Sequence, residues 1–196
     1  MNEANDKHLL CEFVASFEKL DDLSSCFEMD PIASELSFGD CDEYGLKRWR
    51  PISQSIDRSH LAELYKSVPA DLPPLYEELV LNYRWAEVDL QSHRLLANPP
   101  GADLSRLLME MLSHRCLWDE LVPNGYLQFG KAPDLNYDPV CFDFNRRLRD
   151  GDCRIVQIDH EEILCNNRLR EVAEIAPSFR QLILQTIEAV EKEPGD

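Results

Sequence analysis

Residues 160–164 begin like a zinc-binding helix. They read His-Glu-Glu-Ile-Leu, which matches the first two positions of the H-E-x-x-H motif, but Leu164 stands in place of the second histidine. One helical turn therefore offers a single imidazole, whereas a zinc site needs three or four protein ligands. The alternative is that Asp159 caps a short helix, with Glu161 and Glu162 favoured in its first turn. We predict no metal site and no cofactor.

Residues 125–131 read Gly-Tyr-Leu-Gln-Phe-Gly-Lys and fit the G-x4-G-K half of a phosphate-binding loop. Ala132 follows, so the hydroxyl that would ligate magnesium is missing. The residues between the glycines are bulky strand formers, and no helix start follows to receive a phosphate. The segment predicts a strand that ends in a glycine turn.

Three aspartates, Asp138, Asp143 and Asp159, lie near the ends of predicted strands, close in sequence to His160. Converging carboxylates beside an imidazole can perform acid–base chemistry. A turn at Asp138–Pro139 explains the first of them more simply. The pattern permits a ligand-binding or hydrolase site in the Asp138/Asp143/His160 region but does not require one, so we predict that the protein is not an enzyme.

The seven cysteines form no C-x-x-C pair and match no nucleophile signature. Cys153 and Cys165 lie near His160, but the ligand count for a metal still falls short. Apolar neighbours around Cys141 and Cys165 favour buried, reduced thiols. The N-terminal residues lack the features of a secretory signal, and no stretch is apolar enough to span a membrane. These features predict a cytoplasmic protein.

The charge of the 196-residue chain is strongly negative, with 20 Lys and Arg against 37 Asp and Glu, a net of -17. This balance argues against nucleic acids and anionic membranes as partners, because both are bound by basic surfaces. Residues 1–46 hold twelve of the acidic residues and two lysines. We therefore predict an acidic helical N-terminal extension over residues 1–46 and a main domain over residues 47–196, with the boundary in the acidic, turn-rich stretch before residue 47.

The extension contains two predicted helices. The first has an apolar face at helical spacing, made of Leu9, Leu10, Phe13, Phe17 and Leu20. The second starts at Asp30–Pro31 and stops at Gly39. Docking of these helices on the core of the same chain is favoured over a role in binding a partner.

The main domain reads as helices, then clustered strands, then a final helix. Helices are expected from residue 57 to 68, from 72 to 83, from 103 to 118, and from 176 onward. Two short strands are expected over 85–90 and 93–97, and three further strands over 126–130, 140–144 and 154–158. This order predicts an α+β fold with one mostly antiparallel sheet flanked by helices.

Several motifs occur in a distinctive order along residues 47–192. They are Trp-Arg-Pro-Ile at 49–52, the helix start Leu-Pro-Pro-Leu-Tyr-Glu-Glu-Leu at 72–79, Asn-Gly-Tyr at 124–126, Tyr-Asp-Pro-Val-Cys-Phe-Asp at 137–143, Ile-Asp-His at 158–160 and Ala-Pro-Ser-Phe at 176–179. Together they resemble the SUKH superfamily, which includes the yeast cell-wall assembly regulator and many bacterial toxin-immunity proteins. The resemblance implies an antiparallel sheet flanked by helices and a protein-binding role without catalysis. It does not extend to the acidic N-terminal part.

The resemblance predicts a bacterial immunity protein that binds and neutralises a toxin of the nuclease or deaminase class. Such toxins are often basic, and an acidic inhibitor would complement them. Candidate partner contacts are the following acidic and aromatic residues: Asp40, Asp42, Glu43, Tyr44, Trp85, Asp138, Asp143, Glu161 and Glu162. A tryptophan such as Trp85 also suits the core. A regulatory scaffold, as in the fungal branch of the family, is the alternative that stays open beside the ligand-binding or hydrolase hypothesis.

Overall fold

The computed structural model describes residues 3–19, 24–25, 33–112, 114–133 and 137–192. These residues form helices and strands in the following chain order: α1 (Glu3–Ser16), β1 (Ser24–Ser25), β2 (Ser37–Phe38), β3 (Lys47–Trp49), β4 (Ile52–Ser53), α2 (Ala62–Ser67), α3 (Pro74–Asn82), β5 (Tyr83–Arg84), β6 (Val88–Asp89), β7 (Arg94–Leu95), α4 (Ser105–Leu112), α5 (Arg115–Leu121), β8 (Tyr126–Lys131), β9 (Pro139–Arg147), β10 (Cys153–Ile158), α6 (His160–Asn166), β11 (Glu171–Ala176) and α7 (Phe179–Lys192).

The main sheet has six strands in the order β11-β10-β9-β8-β7-β6, and every neighbouring pair is antiparallel. Two smaller antiparallel sheets accompany it, one of β1, β3 and β2 and one of β4 and β5. The predicted α+β class and the antiparallel character of the sheet are confirmed. The two small sheets are additional to the single sheet expected.

The three long central strands lie where the sequence predicts them, because turn residues separate each apolar segment from the next. Gly125 precedes β8 with a φ of +83°, and a β-carbon there would meet the Asn145 side chain at 2.6 Å. Only glycine fits this turn. The strand β11 was not predicted, because four of its six residues are exposed and its sequence shows no alternation of apolar and polar positions.

Side-chain caps define several helix starts. Asp57 accepts a hydrogen bond from the amide of Ser59 at the start of a short 3-10 helix (Arg58–Leu61) that leads into α2, and Asp103 accepts one from the amide of Ser105 before α4. These caps agree with the predicted helix starts. The helix expected over residues 103–118 is instead two helices, because His114 has non-helical backbone angles between α4 and α5.

Four aromatic rings form the centre of the core and join α3, β8, β9 and α7. They belong to Tyr76, Phe129, Phe142 and Phe179, all fully buried. Phe129 and Phe142 stack at 4.1 Å between centroids, and Tyr76 meets Phe142 edge-on at 4.9 Å. Rings of this size dominate the free energy that burial contributes to folding.

The helix α7 is fixed to the sheet by a buried carboxylate. Asp152, in the turn before β10, accepts hydrogen bonds from the amides of Phe179 and Arg180, each at 3.0 Å. These amides belong to the first turn of α7 and have no partner within the helix. A negative charge is also favoured at this end of a helix.

The N-terminal helix α1 packs on α7 and α3. Leu10 and Phe13 of this helix, and Phe17 directly after it, are buried in the same cluster as the core of the main domain. Arg180 of α7 donates a hydrogen bond to Asp6 at 2.7 Å. The predicted docking of the first helix is confirmed, while Leu20 and the helix start at Asp30–Pro31 lie outside the described residues. The prediction that this second helix continues to Gly39 is wrong, because Ser37–Phe38 form the strand β2.

The described helices are all too short or too polar to cross a membrane.

Candidate functional site

A cleft open to solvent lies beside the start of α6 and the segment that leads into β9. It consists of two adjoining depressions that share Tyr137 and His160, an apolar one of about 300 Å³ and a polar one of about 490 Å³. The lining residues of the apolar part are His114, Cys116, Leu117, Lys131, Tyr137, His160 and Leu164. The lining residues of the polar part are Tyr137, Asp138, Asp159, His160, Glu161, Arg170 and Val172.

Asp138 is the best-connected polar group of the cleft. Its side chain is buried, and the carboxylate accepts hydrogen bonds from Gln157 Nε2 at 2.7 Å and from the amide of His160 at 2.9 Å. The Nδ1 atom of His160 lies 2.7 Å from the same carboxylate. The carboxylate therefore joins the segment before β9 to the end of β10 and the start of α6.

The imidazole of His160 is held at the first residue of α6. Asp159 caps this helix by accepting a hydrogen bond from the amide of Glu162 at 3.0 Å, as the sequence predicts. Because the Asp138 carboxylate accepts, Nδ1 of His160 donates to it, and Nε2 remains as the second ring nitrogen. The Tyr137 ring meets the imidazole edge-on at 6.4 Å. An oriented imidazole is one requirement of a general base, but a reacting group within reach of Nε2 is another.

Asp143 does not join this pair. It is 1% exposed, so its assignment as a partner contact is wrong, and its Oδ2 atom accepts a hydrogen bond from Arg154 Nη2 at 2.7 Å. Arg154 also pairs with Glu171 at 2.6 Å and Glu174 at 3.4 Å. The predicted convergence of Asp138, Asp143 and His160 is therefore only partly formed, because the strand register places Asp143 opposite Arg154 rather than at the cleft.

Exposed apolar side chains surround the cleft. Tyr137 is 61% exposed, Leu164 53% and Val172 47%. Leu164 projects from α6 near Leu117 of α5 in the apolar part, while Val172 borders the polar part. Large apolar groups that a fold leaves exposed in one place are typical of a surface that binds another protein.

The acidic groups of the cleft fall into two kinds. Asp138 and Asp159 are engaged in the hydrogen bonds described above, and Asp159 also lies 3.7 Å from Arg170. Glu161 is exposed, and its carboxylate makes no hydrogen bond or ion pair with the described part of the chain. Glu161 therefore keeps its charge available to a partner.

A second candidate surface is the turn between β2 and β3, residues 39–46, which we call the hairpin tip. It carries Asp40, Asp42, Glu43 and Tyr44, all exposed, and Tyr44 is 78% exposed. The Asp42 carboxylate accepts hydrogen bonds from the amides of Tyr44 at 2.9 Å and Leu46 at 2.8 Å. These two bonds fix the turn around Asp42, Tyr44 and Leu46.

Trp85 does not belong to an exposed surface, and its assignment as a partner contact is wrong. Its side chain is 0% exposed, and Nε1 donates a hydrogen bond to the carbonyl of Leu96 at 2.9 Å. The indole belongs to the main hydrophobic core. The alternative that this tryptophan is a core residue is correct.

The cysteines differ from the expectation of buried thiols. Cys141 and Cys153 are buried, and burial raises the pKa of the Cys153 thiol to about 12. Cys165 is exposed on α6, as are Cys11, Cys41 and Cys116. An apolar neighbour in sequence does not bury a helical residue, because adjacent positions point in different directions. All six are free thiols, and Cys26 lies outside the described residues.

Within residues 3–192, as far as they are described, no three His, Cys, Asp or Glu side chains are grouped to hold a metal ion. The exposed trio Tyr137, Leu164 and Val172 was not predicted as a site. Nothing in the sequence distinguishes these side chains from core residues, because their exposure depends on tertiary packing, such as the position of β11 at the edge of the sheet.

No protein-family model and no curated protein matches this chain. The resemblance to the SUKH superfamily stays a prediction based on the order of its motifs.

Proposed function

We propose that this protein is a non-catalytic protein-binding module that neutralises a toxin of the nuclease or deaminase class. The observation that carries the proposal is the cleft, where exposed apolar side chains adjoin an unpaired acidic one. Interfaces combine this kind of apolar centre with a polar rim. The motif order that resembles SUKH immunity proteins supports the same role, acting in the cytoplasm.

The net charge of -17 favours a partner with a basic surface. A nuclease that binds phosphates carries a basic surface, and opposite potentials speed the encounter of two proteins. The hairpin tip contributes three carboxylates to this field from one exposed turn. We therefore propose a basic toxin domain as the partner.

Co-expression tests the proposal directly. The full chain is expressed in bacteria together with the toxin domain encoded beside its gene, and growth is compared with cells that express the toxin domain alone. We expect restored growth and a stable complex of the two purified proteins in size-exclusion chromatography. Toxicity that persists, with no complex formed, would reject the immunity role.

A ligand-binding or hydrolytic site is the second candidate, and the 2.7 Å contact between Asp138 and His160 is the observation that favours it. Such a site predicts turnover or small-molecule binding that disappears in the His160→Gln variant. A regulatory scaffold would differ from both, since its partner would be an endogenous protein whose activity is not toxic to the cell.

A further inference from the structure

The cleft has two unlike halves that meet at Tyr137 and His160. The apolar half has a volume of about 300 Å³, at the lower end of the roughly 300–1,000 Å³ typical of ligand sites. A depression of that size, lined by Leu117 and Leu164, suits one large apolar side chain better than a cofactor. Burial of one such side chain in a pocket is typical of an interface anchor.

The polar half determines which group would lie next to that anchor. Its carboxylates are Asp138, Asp159 and Glu161, and its cationic side chain is Arg170. Arg170 already lies 3.7 Å from Asp159, while Asp138 is held by Gln157 and His160. The exposed Glu161 is therefore the carboxylate that a partner's cation would meet.

We propose that the cleft binds a partner segment in which a large apolar side chain is close in sequence to a lysine or arginine. The apolar side chain enters the half lined by Leu117 and Leu164, and the cation pairs with Glu161. This inference rests on the proposed protein-binding function and names the chemistry of the segment that is recognised. A second copy of this chain carries the same net charge of -17, so like-charge repulsion opposes it as the occupant.

Short peptides test the inference with the purified full-length protein and without any toxin. The probe is acetyl-Gly-Phe-Lys-Gly-amide, titrated while the amide resonances of Leu117, His160 and Leu164 are followed by NMR. We expect shifts at these residues, binding at least about tenfold weaker when Phe is replaced by Ala, and about threefold weaker when Lys is replaced by Glu.

Matched variants localise the binding. Leu164→Arg should abolish the shifts, while Leu184→Arg, which changes an equally apolar and 43% exposed residue on α7, should retain them. Glu161→Gln should remove the preference for Lys over Glu in the peptide but keep the preference for Phe over Ala. Far-ultraviolet circular dichroism and thermal unfolding confirm that each variant is folded.

Each outcome of these measurements either supports or overturns the inference. Equal binding of the three peptides, absence of binding, or shifts that map outside the cleft would overturn it. The proposed function is judged separately, because restored growth in co-expression that survives Leu164→Arg would reject this use of the cleft and leave toxin neutralisation intact.

Discussion

The hairpin tip and the cleft both present carboxylates, but these carboxylates have different surroundings. At the tip, Asp40, Asp42 and Glu43 are exposed, and the hydrogen bonds that Asp42 accepts come from neighbours within four residues. At the cleft, Asp138 is buried and bonded to residues 19 and 22 positions away. The exposed carboxylates of the tip therefore act mainly through their charge, whereas the Asp138 carboxylate of the cleft links distant segments of the chain.

Exposed apolar groups separate the two regions further. The tip offers Tyr44, whereas the cleft is bordered by Tyr137, Leu164 and Val172 around a concave surface. Concave apolar surface provides the buried contacts that slow dissociation, and exposed charge mainly affects association. We expect the tip to influence how fast a partner arrives and the cleft to influence how long it stays.

The largest effect is expected at the buried carboxylate of Asp143. Asp143→Ala leaves Arg154 with only the more exposed Glu171 and Glu174 as partners and should lower the free energy of unfolding by about 3 kcal/mol. Asp40→Ala at the tip should change it by less than about 0.5 kcal/mol, because that side chain is exposed. Urea denaturation of both variants measures the contrast, and similar losses would contradict it.

A buried histidine outside both regions affects any comparison made at low pH. Burial lowers the pKa of His93 to about 4, from 6.5 in the unfolded chain. Between these values the unfolded state binds a proton that the folded state does not, so stability present above pH 6.5 is lost as the pH falls towards 4. The loss should reach about 3 kcal/mol.

Denaturation curves between pH 7 and pH 4 test the role of His93. The His93→Gln variant cannot gain this proton, so its stability should depend less steeply on pH than that of the wild type, whatever its stability at pH 7. Parallel curves for the two proteins would show that other groups cause the acid sensitivity.

The third effect concerns Asp138. Glu161, an acidic residue of the same cleft, provides the control substitution. Asp138→Ala leaves Gln157 and the His160 amide without this acceptor and should lower the free energy of unfolding by about 2 kcal/mol. Glu161→Ala should leave stability within about 0.5 kcal/mol of the wild type. Equal changes in thermal unfolding would contradict the distinction between a structural Asp138 and a Glu161 that is free to pair with a partner.

The smallest effect is kinetic and concerns the hairpin tip. Neutralising it with Asp40→Asn and Glu43→Gln, which keeps the Asp42 hydrogen bonds, should slow association with a basic partner about twofold to fivefold and weaken its dependence on salt. The dissociation rate should stay unchanged. Surface plasmon resonance at several salt concentrations separates the two rates, and a change confined to dissociation would place the tip inside the interface.

Local signals explain the parts of the fold that were predicted correctly. Asp57, Asp103 and Asp159 each precede a helix start and accept a backbone hydrogen bond within three residues. Such caps depend only on neighbouring residues, so the sequence reveals them. The strands β8, β9 and β10 are likewise bounded by turn residues.

Elements that depend on distant contacts were missed. Residues 171–176 form β11 because β10 offers hydrogen-bonding partners, not because their own pattern alternates. The break between α4 and α5 and the burial of Trp85 also follow from packing in three dimensions.

The α+β class, the helix caps and the excess of negative charge can all be predicted from the chain, because they depend on composition and local spacing. Three arrangements become visible only in the folded molecule: Asp138 meets His160, Asp143 pairs with Arg154, and Leu164 is left exposed beside an open cleft. They depend on strand register and on how α6 packs on α5. Residues far apart in the chain meet only after that packing is fixed.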